Sequence, residues 1–331
     1  MKPLTRVFSF CAASMLLLAS GCANNSSTPA PEPAFTLYVV QDGGGTAGNS
    51  VLQFPANGSG SLTPANSVTV PMQTTYDAVA VDTASNLYVS ASVVTAPPML
   101  NEILVYAAGA TGSATPARTI TSPSLSTLIS SIAVDSTGEV YALSGNSISV
   151  FAANAATSAT PVRQIAGSST TLNSPSAIAV DAAQNIYVAN TAGGNVLVFS
   201  STESGNVAPA SIITGTSGNL GAPSGVAIDS SGNIYVASNN PSGNASAVLE
   251  FAPGATGNAT PTRTLTAVAS DTLAGLAVDA LDNLYVYTAT SSQLAVAVFT
   301  PDQSGSSAPS RTISSTSWTP ATPDYGQIAV R

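Results

Sequence analysis

Residues 223–238, PSGVAIDSSGNIYVAS, alternate apolar and polar positions, break at an Asp-led polar run, and resume alternation. Residues 175–190 (PSAIAVDAAQNIYVAN) and 273–288 (LAGLAVDALDNLYVYT) repeat the pattern. Period-2 alternation around a short polar run predicts two strands joined by a tight hairpin. Laid over one another, the segments give an apolar-Ala-apolar-Asp strand ending at Asp82, Asp135, Asp181, Asp229 and Asp279, at spacings of 53, 46, 48 and 50 residues. A second strand follows, carrying Tyr88, Tyr141, Tyr187, Tyr235 or Tyr285. A third ends in Tyr106, Phe151, Phe199, Phe251 or Phe299, and a fourth is Pro-led: TPARTI, TPVRQI, APASII, TPTRTL, APSRTI.

Four short strands in a period of about 50 residues predict the blade of an all-β propeller with four antiparallel strands per blade. The chain ends explain each other. The N-terminal repeat starts at its second strand, Leu37-Tyr38-Val39, followed by Val51-Leu52-Gln53-Phe54 and Pro64 to Val68. The C-terminus, Gln327 to Arg331, is the missing first strand. One strand from the C-terminus therefore completes the N-terminal blade, which closes a six-bladed ring and removes open sheet edges. The recurring Ala (Ala80, Ala133, Ala179, Ala227, Ala277, Ala329) gives room where strands crowd near the axis. The recurring Tyr and the third-strand aromatic are expected to fill the wedges between blades. The Asp is expected to cap its hairpin by accepting backbone N–H bonds.

The repeat P-x-G-x-A-x-D-x-x-G-N-I-Y-V-A resembles the NHL-repeat family of β-propellers over roughly residues 35–331. Pro223, Gly225, Asp229, Gly232, Asn233 and Tyr235 stand at that family's repeat positions. The resemblance implies the fold; propellers serve as enzymes, binders and scaffolds, so it does not imply a function.

Residues 1–21 carry Lys2 and Arg6, an apolar run from Val7 to Leu18 and a small-residue site before Cys22, the pattern of a bacterial lipoprotein signal. Cys22 is then the lipidation site, with Ala23 after it favouring the outer membrane. Residues 22–34 form a Pro/Ser/Asn-rich tether, and 35–331 the propeller. Without Lys2 and Arg6, five Arg face sixteen acids, and no basic stripe is left to bind nucleic acid. The membrane is met through the lipid anchor only.

The chain has no His, which excludes Ser-His-Asp hydrolysis and His-ligated metals, and with them the chemistry of the His-dependent lyase propellers. Gluconolactonase-like propellers hold a divalent cation near the axis. The residues expected to rim that channel are Asp77, Ser130, Ser176, Ser224, Ala274 and Gly326, one carboxylate among six. Such a row suits Ca²⁺ poorly, and no cofactor is implied. Four arginines, Arg118, Arg163, Arg263 and Arg311, share one position and read as edge charges that deter sheet pairing or as an anion-binding band.

The leading expectation is an envelope-anchored binding module for a protein or glycan. Its candidate face includes Tyr76, Asp77, Asn190, Asn239, Trp318 and Tyr325. Trp318 has two open readings, ligand contact or a plug in the closing seam. The alternatives are a metal-dependent lactonase-like hydrolase and a purely structural envelope component.

Overall fold

The computed structural model describes residues 35–41, 50–70, 74–75, 78–93, 100–215, 220–239, 246–266, 268, 272–289, 293–318 and 327–331. The signal, Cys22 and the tether lie outside the described residues, as do Tyr76, Asp77, Tyr325 and Gly326.

The protein is a six-bladed β-propeller. Its first blade joins both ends of the chain, in the order Ile328–Val330, Thr36–Gln41, Ser50–Pro55, Asn66–Thr69. The closing strand pairs Leu37 with Val330, Tyr38 with Ala329 and Val39 with Ile328. The second blade runs Val79–Val81, Leu87–Val93, Leu100–Tyr106, Arg118–Thr121, with Thr74–Thr75 also pairing its second strand. The third is Ile129–Val134, Val140–Ser144, Ser147–Phe151, Arg163–Ala166, and the fourth Pro175–Val180, Ile186–Asn190, Asn195–Phe199, Ser211–Ile213. The fifth is Ala222–Ile228, Ile234–Asn239, Ala247–Phe251, Arg263–Leu265, and the sixth Thr272–Val278, Leu284–Ala289, Leu294–Phe299, Arg311–Ser314.

Hydrophobic packing is concentrated between blades, one cluster to each seam. The seam of the fifth and sixth blades, for example, holds Tyr235 of one and Phe299 of the other, with Leu265, Val286 and Ala297. Everywhere the Tyr comes from one blade and the third-strand aromatic from the next. The recurring Ala stands directly opposite that Tyr on the neighbouring strand, as in Ala133–Tyr141, Ala227–Tyr235 and Ala277–Tyr285. A larger residue there would push against the ring that fills the seam.

Each outer strand is also covered by its neighbour. Gly112, Gly205, Gly257 and Gly305, in the loops before the fourth strands, make parallel bridges to Val68, Ile165, Ile213 and Leu265 of the preceding blade. Gly60 does the same to Ile313 across the closing seam. These glycines have φ between 58° and 80°, the left-handed region that a Cβ disfavours. The third blade has Thr157 at this place and lacks the bridge; Ser158 takes a φ of 59° instead, and Ala159 donates its N–H to the Thr121 carbonyl at 2.8 Å. Burying outer edges in this way leaves little unpaired backbone for another chain to join.

Candidate functional site

The two ends of the ring are built differently. At one end lie the turns between first and second strands and the loops between third and fourth strands. From Val81 to Leu87, Val134 to Val140, Val180 to Ile186, Ile228 to Ile234 and Val278 to Leu284, five residues intervene every time. From Tyr106 to Arg118, Phe151 to Arg163, Phe199 to Ser211, Phe251 to Arg263 and Phe299 to Arg311, eleven intervene every time.

The five-residue turn is fixed by its Asp. Asp229 Oδ1 accepts the N–H groups of Ser231 at 2.9 Å and Asn233 at 2.8 Å; Oδ2 accepts Asn233 Nδ2 at 2.8 Å and the Tyr235 hydroxyl at 3.0 Å. Asp82, Asp181 and Asp279 repeat the set. At Asp135 the Asn is replaced by Glu139, and Gln184 of the next blade donates to Oδ2 at 2.7 Å in its stead. Burial pushes the Asp135 carboxyl up, but the bonds from Thr137, Gln184 and two backbone N–H groups outweigh it and hold the group below its usual value.

The arginines complete this end, in a way the sequence reading missed. They face inward, into the seams, rather than forming edge charges or an anion band. Arg118, Arg163, Arg263 and Arg311 lie over the rings of Tyr88, Tyr141, Tyr235 and Tyr285 at 5.5–5.9 Å. Three of them donate to the phenol oxygen at 3.1–3.3 Å, and that hydroxyl in turn donates to the Asp. The same guanidinium groups reach the next blade: Arg118 to the Ala155 carbonyl at 2.9 Å, Arg163 to Glu203, Arg263 to Gln303, Arg311 to Ala56. Stacking on a ring together with several charge-assisted bonds to half-buried carbonyls is what guanidinium provides better than ammonium.

These tyrosines are expected to set the alkaline limit of the fold. Burial, then the carboxylates beside them, raises Tyr88, Tyr141, Tyr187, Tyr235 and Tyr285, with Tyr187 pushed up to about 12. A raised value contributes stability that is complete below the unfolded pKa of about 10 and is lost as pH rises through the folded values. With no His, and Lys2 the single Lys, little else titrates between pH 6 and 10. Melting temperature is expected to stay nearly level from pH 6 to about 9.5 and to fall steeply above it. A decline beginning near pH 8 would contradict this account.

At the other end the connections vary. Between second and third strands they run from Gln41 to Ser50, Val93 to Leu100, Ser144 to Ser147, Asn190 to Asn195, Asn239 to Ala247 and Ala289 to Leu294, a range of two to eight residues. The polar side chains at the base of this end bind neighbouring blades. Ser130, Ser176, Ser224 and Ala274 are the unpaired residues of β-bulges in the first strands. Ser176 Oγ donates to the Pro223 carbonyl at 3.2 Å, and Ser224 Oγ to Leu273 at 2.6 Å. Asn239 gives Nδ2 to Ser224 Oγ and to the Leu273 carbonyl, both at 2.9 Å, and accepts the Leu273 N–H at 2.9 Å. Asn190 is buried, its Oδ1 accepting from Asn173 and its Nδ2 donating to Thr171 and Asn195.

Gln327, which the sequence reading passed over, donates Nε2 to the Ser176 carbonyl at 3.4 Å. It belongs to the first blade and Ser176 to the fourth, opposite it in a ring of six. Its side chain therefore spans the mouth of the central channel. Trp318 is 6% exposed and sits in the closing seam, edge-on to Phe54 at 5.2 Å and to Tyr287 at 6.3 Å. Of its two readings, the plug is the one this geometry matches. Among the described residues, no group of three His, Cys, Asp or Glu side chains converges as metal ligands would.

No protein-family model matches the chain, and no curated protein matches its sequence. Solved structures do share its form. A protein of unknown function from Bacteroides caccae superposes with a TM-score of 0.60 at 11% identity, over 90% of this chain and 99% of that one. The periplasmic gluconolactonase PpgL of Pseudomonas aeruginosa gives 0.55 at 14% identity, over 86% and 84%. A Lactobacillus plantarum protein gives 0.51 at 16% identity, over 81% and 79%. At these identities the likeness is one of fold: the chain is similar to six-bladed β-propellers of bacteria.

Proposed function

We propose that this chain is an exported, lipid-anchored binding module, with NHL-like repeats, that meets a protein or glycan through its variable end. One observation carries the reading: repeats that keep five- and eleven-residue connections at one end have second-to-third connections of two to eight residues at the other. In repeat folds, loops free to differ on one face are where recognition concentrates. Asn190 and Asn239 then serve as the footing for the loops beyond them, and anchoring through Cys22 would keep the ring at a membrane surface. The likeness to a gluconolactonase does not bring its chemistry here, since Ser176 and Ser224 spend their polar groups on neighbouring blades and Gln327 on the opposite one.

Photo-crosslinking in intact cells tests this. A crosslinking residue replaces exposed Asn146 or Ala192 at the variable end, and exposed Ser136 or Ala182 at the constant end. Discrete products are expected from the first pair only, all in the membrane fraction, with Cys22→Ser releasing the chain. Products from the constant end alone, or from neither end, would sink the binding reading. A Cys22→Ser chain that stays with the membrane would sink the anchor.

A further inference from the structure

Two seams lack the Arg that the other four supply, and one of the two has no substitute for it. At the place of Arg118, Arg163, Arg263 and Arg311, the first blade has Asn66 and the fourth has Ser211. In the first blade Gln53, paired with Asn66, makes up the difference by donating Nε2 to the Ala110 carbonyl of the second blade at 3.2 Å. In the fourth blade Val198 is paired with Ser211 and has nothing to donate. The Ser211 hydroxyl is buried and makes no hydrogen bond.

The consequence shows in exposure. The tyrosines beneath an Arg are 0–2% exposed, whereas Tyr187 is 7% exposed. Val105, Val150 and Val298 are buried, whereas their counterpart Val198 is partly exposed. The groups that receive a guanidinium elsewhere are nonetheless kept. Tyr187 still donates its hydroxyl to Asp181 Oδ2 at 3.1 Å, so the phenol oxygen is free to accept as its counterparts do. Ala255 holds the position of Ala155, Glu203 and Gln303, whose carbonyls accept from Arg. Among the described residues no side chain donates to the Ala255 carbonyl.

We propose that the seam between the fourth and fifth blades binds a guanidinium-bearing ligand, stacked on Tyr187 and bonded to its hydroxyl and to the Ala255 carbonyl, with Ser211 as a further acceptor. The ligand takes the place that an Arg side chain fills in four other seams. Planarity and weak hydration favour guanidinium over ammonium at such a face. A chain of net charge −9 adds long-range attraction for any cation. The site lies at the constant end and does not depend on what the variable end binds.

The test titrates the full chain with methylguanidinium at millimolar concentrations, against tetramethylammonium at equal ionic strength. One saturable site is expected for methylguanidinium, at least tenfold weaker for tetramethylammonium. Ser211→Arg, which tethers a guanidinium in the seam, is expected to melt higher and to lose the site. Arg163→Ser is expected to melt lower, to recover on adding methylguanidinium, and to bind two equivalents. It decides the matter even if Ser211→Arg does not fold. Tighter binding of the peptide Gly-Arg-Gly than of methylguanidinium assigns the ligand to an Arg of a partner, and the reverse order to a free small cation. Absence of saturable binding by the unaltered chain, or binding that Ser211→Arg leaves unchanged, overturns the proposal, as does an Arg163→Ser chain that gains neither stability nor a second site.

Discussion

A chain ending at residue 326 is expected to lose its cooperative unfolding transition at ordinary temperatures. The five residues removed contribute three strand pairs with the first blade. They also include the mutual backbone bonds of Thr36 and Arg331, at 2.5 and 3.0 Å, and buried Ile328. Each hydrogen bond is worth about 1 kcal/mol net and burial of an Ile side chain roughly 1.5–3 kcal/mol. Together with the first blade's exposed inner edge, the loss is about 5 kcal/mol or more. That rivals the whole stability of a typical domain, about 5–15 kcal/mol. Circular dichroism through a thermal ramp reads the result, and adding the peptide QIAVR at millimolar concentration should recover part of the transition. An unchanged melting temperature would show that the ring does not depend on its closing strand.

Trp318→Ala is expected to cost about 3–5 kcal/mol, the range for emptying a large aromatic site. The side chain packs on Phe54 of the first blade and Tyr287 of the sixth, so its loss opens a gap where the two chain ends meet. For a chain of this size the melting temperature should drop by on the order of 10 °C. Trp318→Phe should cost much less, because the indole Nε1 makes no hydrogen bond and only volume is lost. Equal losses for Ala and Phe would point to a specific role for the indole, and a negligible loss for Ala would remove Trp318 from the closing seam's packing.

Much of this architecture can be read from residue types alone. The Asp, Ala, Tyr and third-strand aromatics recur because each meets the same steric demand six times or nearly so. Where reading failed, direction was the missing quantity. An Arg on an outer strand ordinarily points to water, and nothing in Pro-x-Arg says that it turns inward. A signal lay instead in one exchange along the repeat: where Asn66 replaces the Arg, Gln53 appears on the adjacent strand. The bridging glycines were legible too, in the recurring Gly six residues before the outer strand, as Gly205 precedes Ser211 and Gly257 precedes Arg263. For Asn190, Asn239 and Trp318, type and position suggested contact with a ligand, but amides and indoles serve the packing of the loops and seams equally well. Only coordinates reveal the partner. Connection lengths, which carry the functional reading, need the strand bounds before they can be compared.

The first blade's divided origin governs the order in which the molecule can be made. Nearly every strand pairs with one encountered within some tens of residues, so blades are local meanders that can form as the chain lengthens. The pairings across the closing seam, Leu37 with Val330 and Gly60 with Ile313, are the exceptions, each spanning most of the sequence. During synthesis, strand Thr36–Gln41 has no inner neighbour until residue 328 has emerged. Through that interval the earliest part of the propeller carries an unsatisfied edge, the kind of surface that invites association with other nascent chains. Among the described strand pairings, ring closure is therefore the last to become possible, and the one before which the open edge has most need of protection.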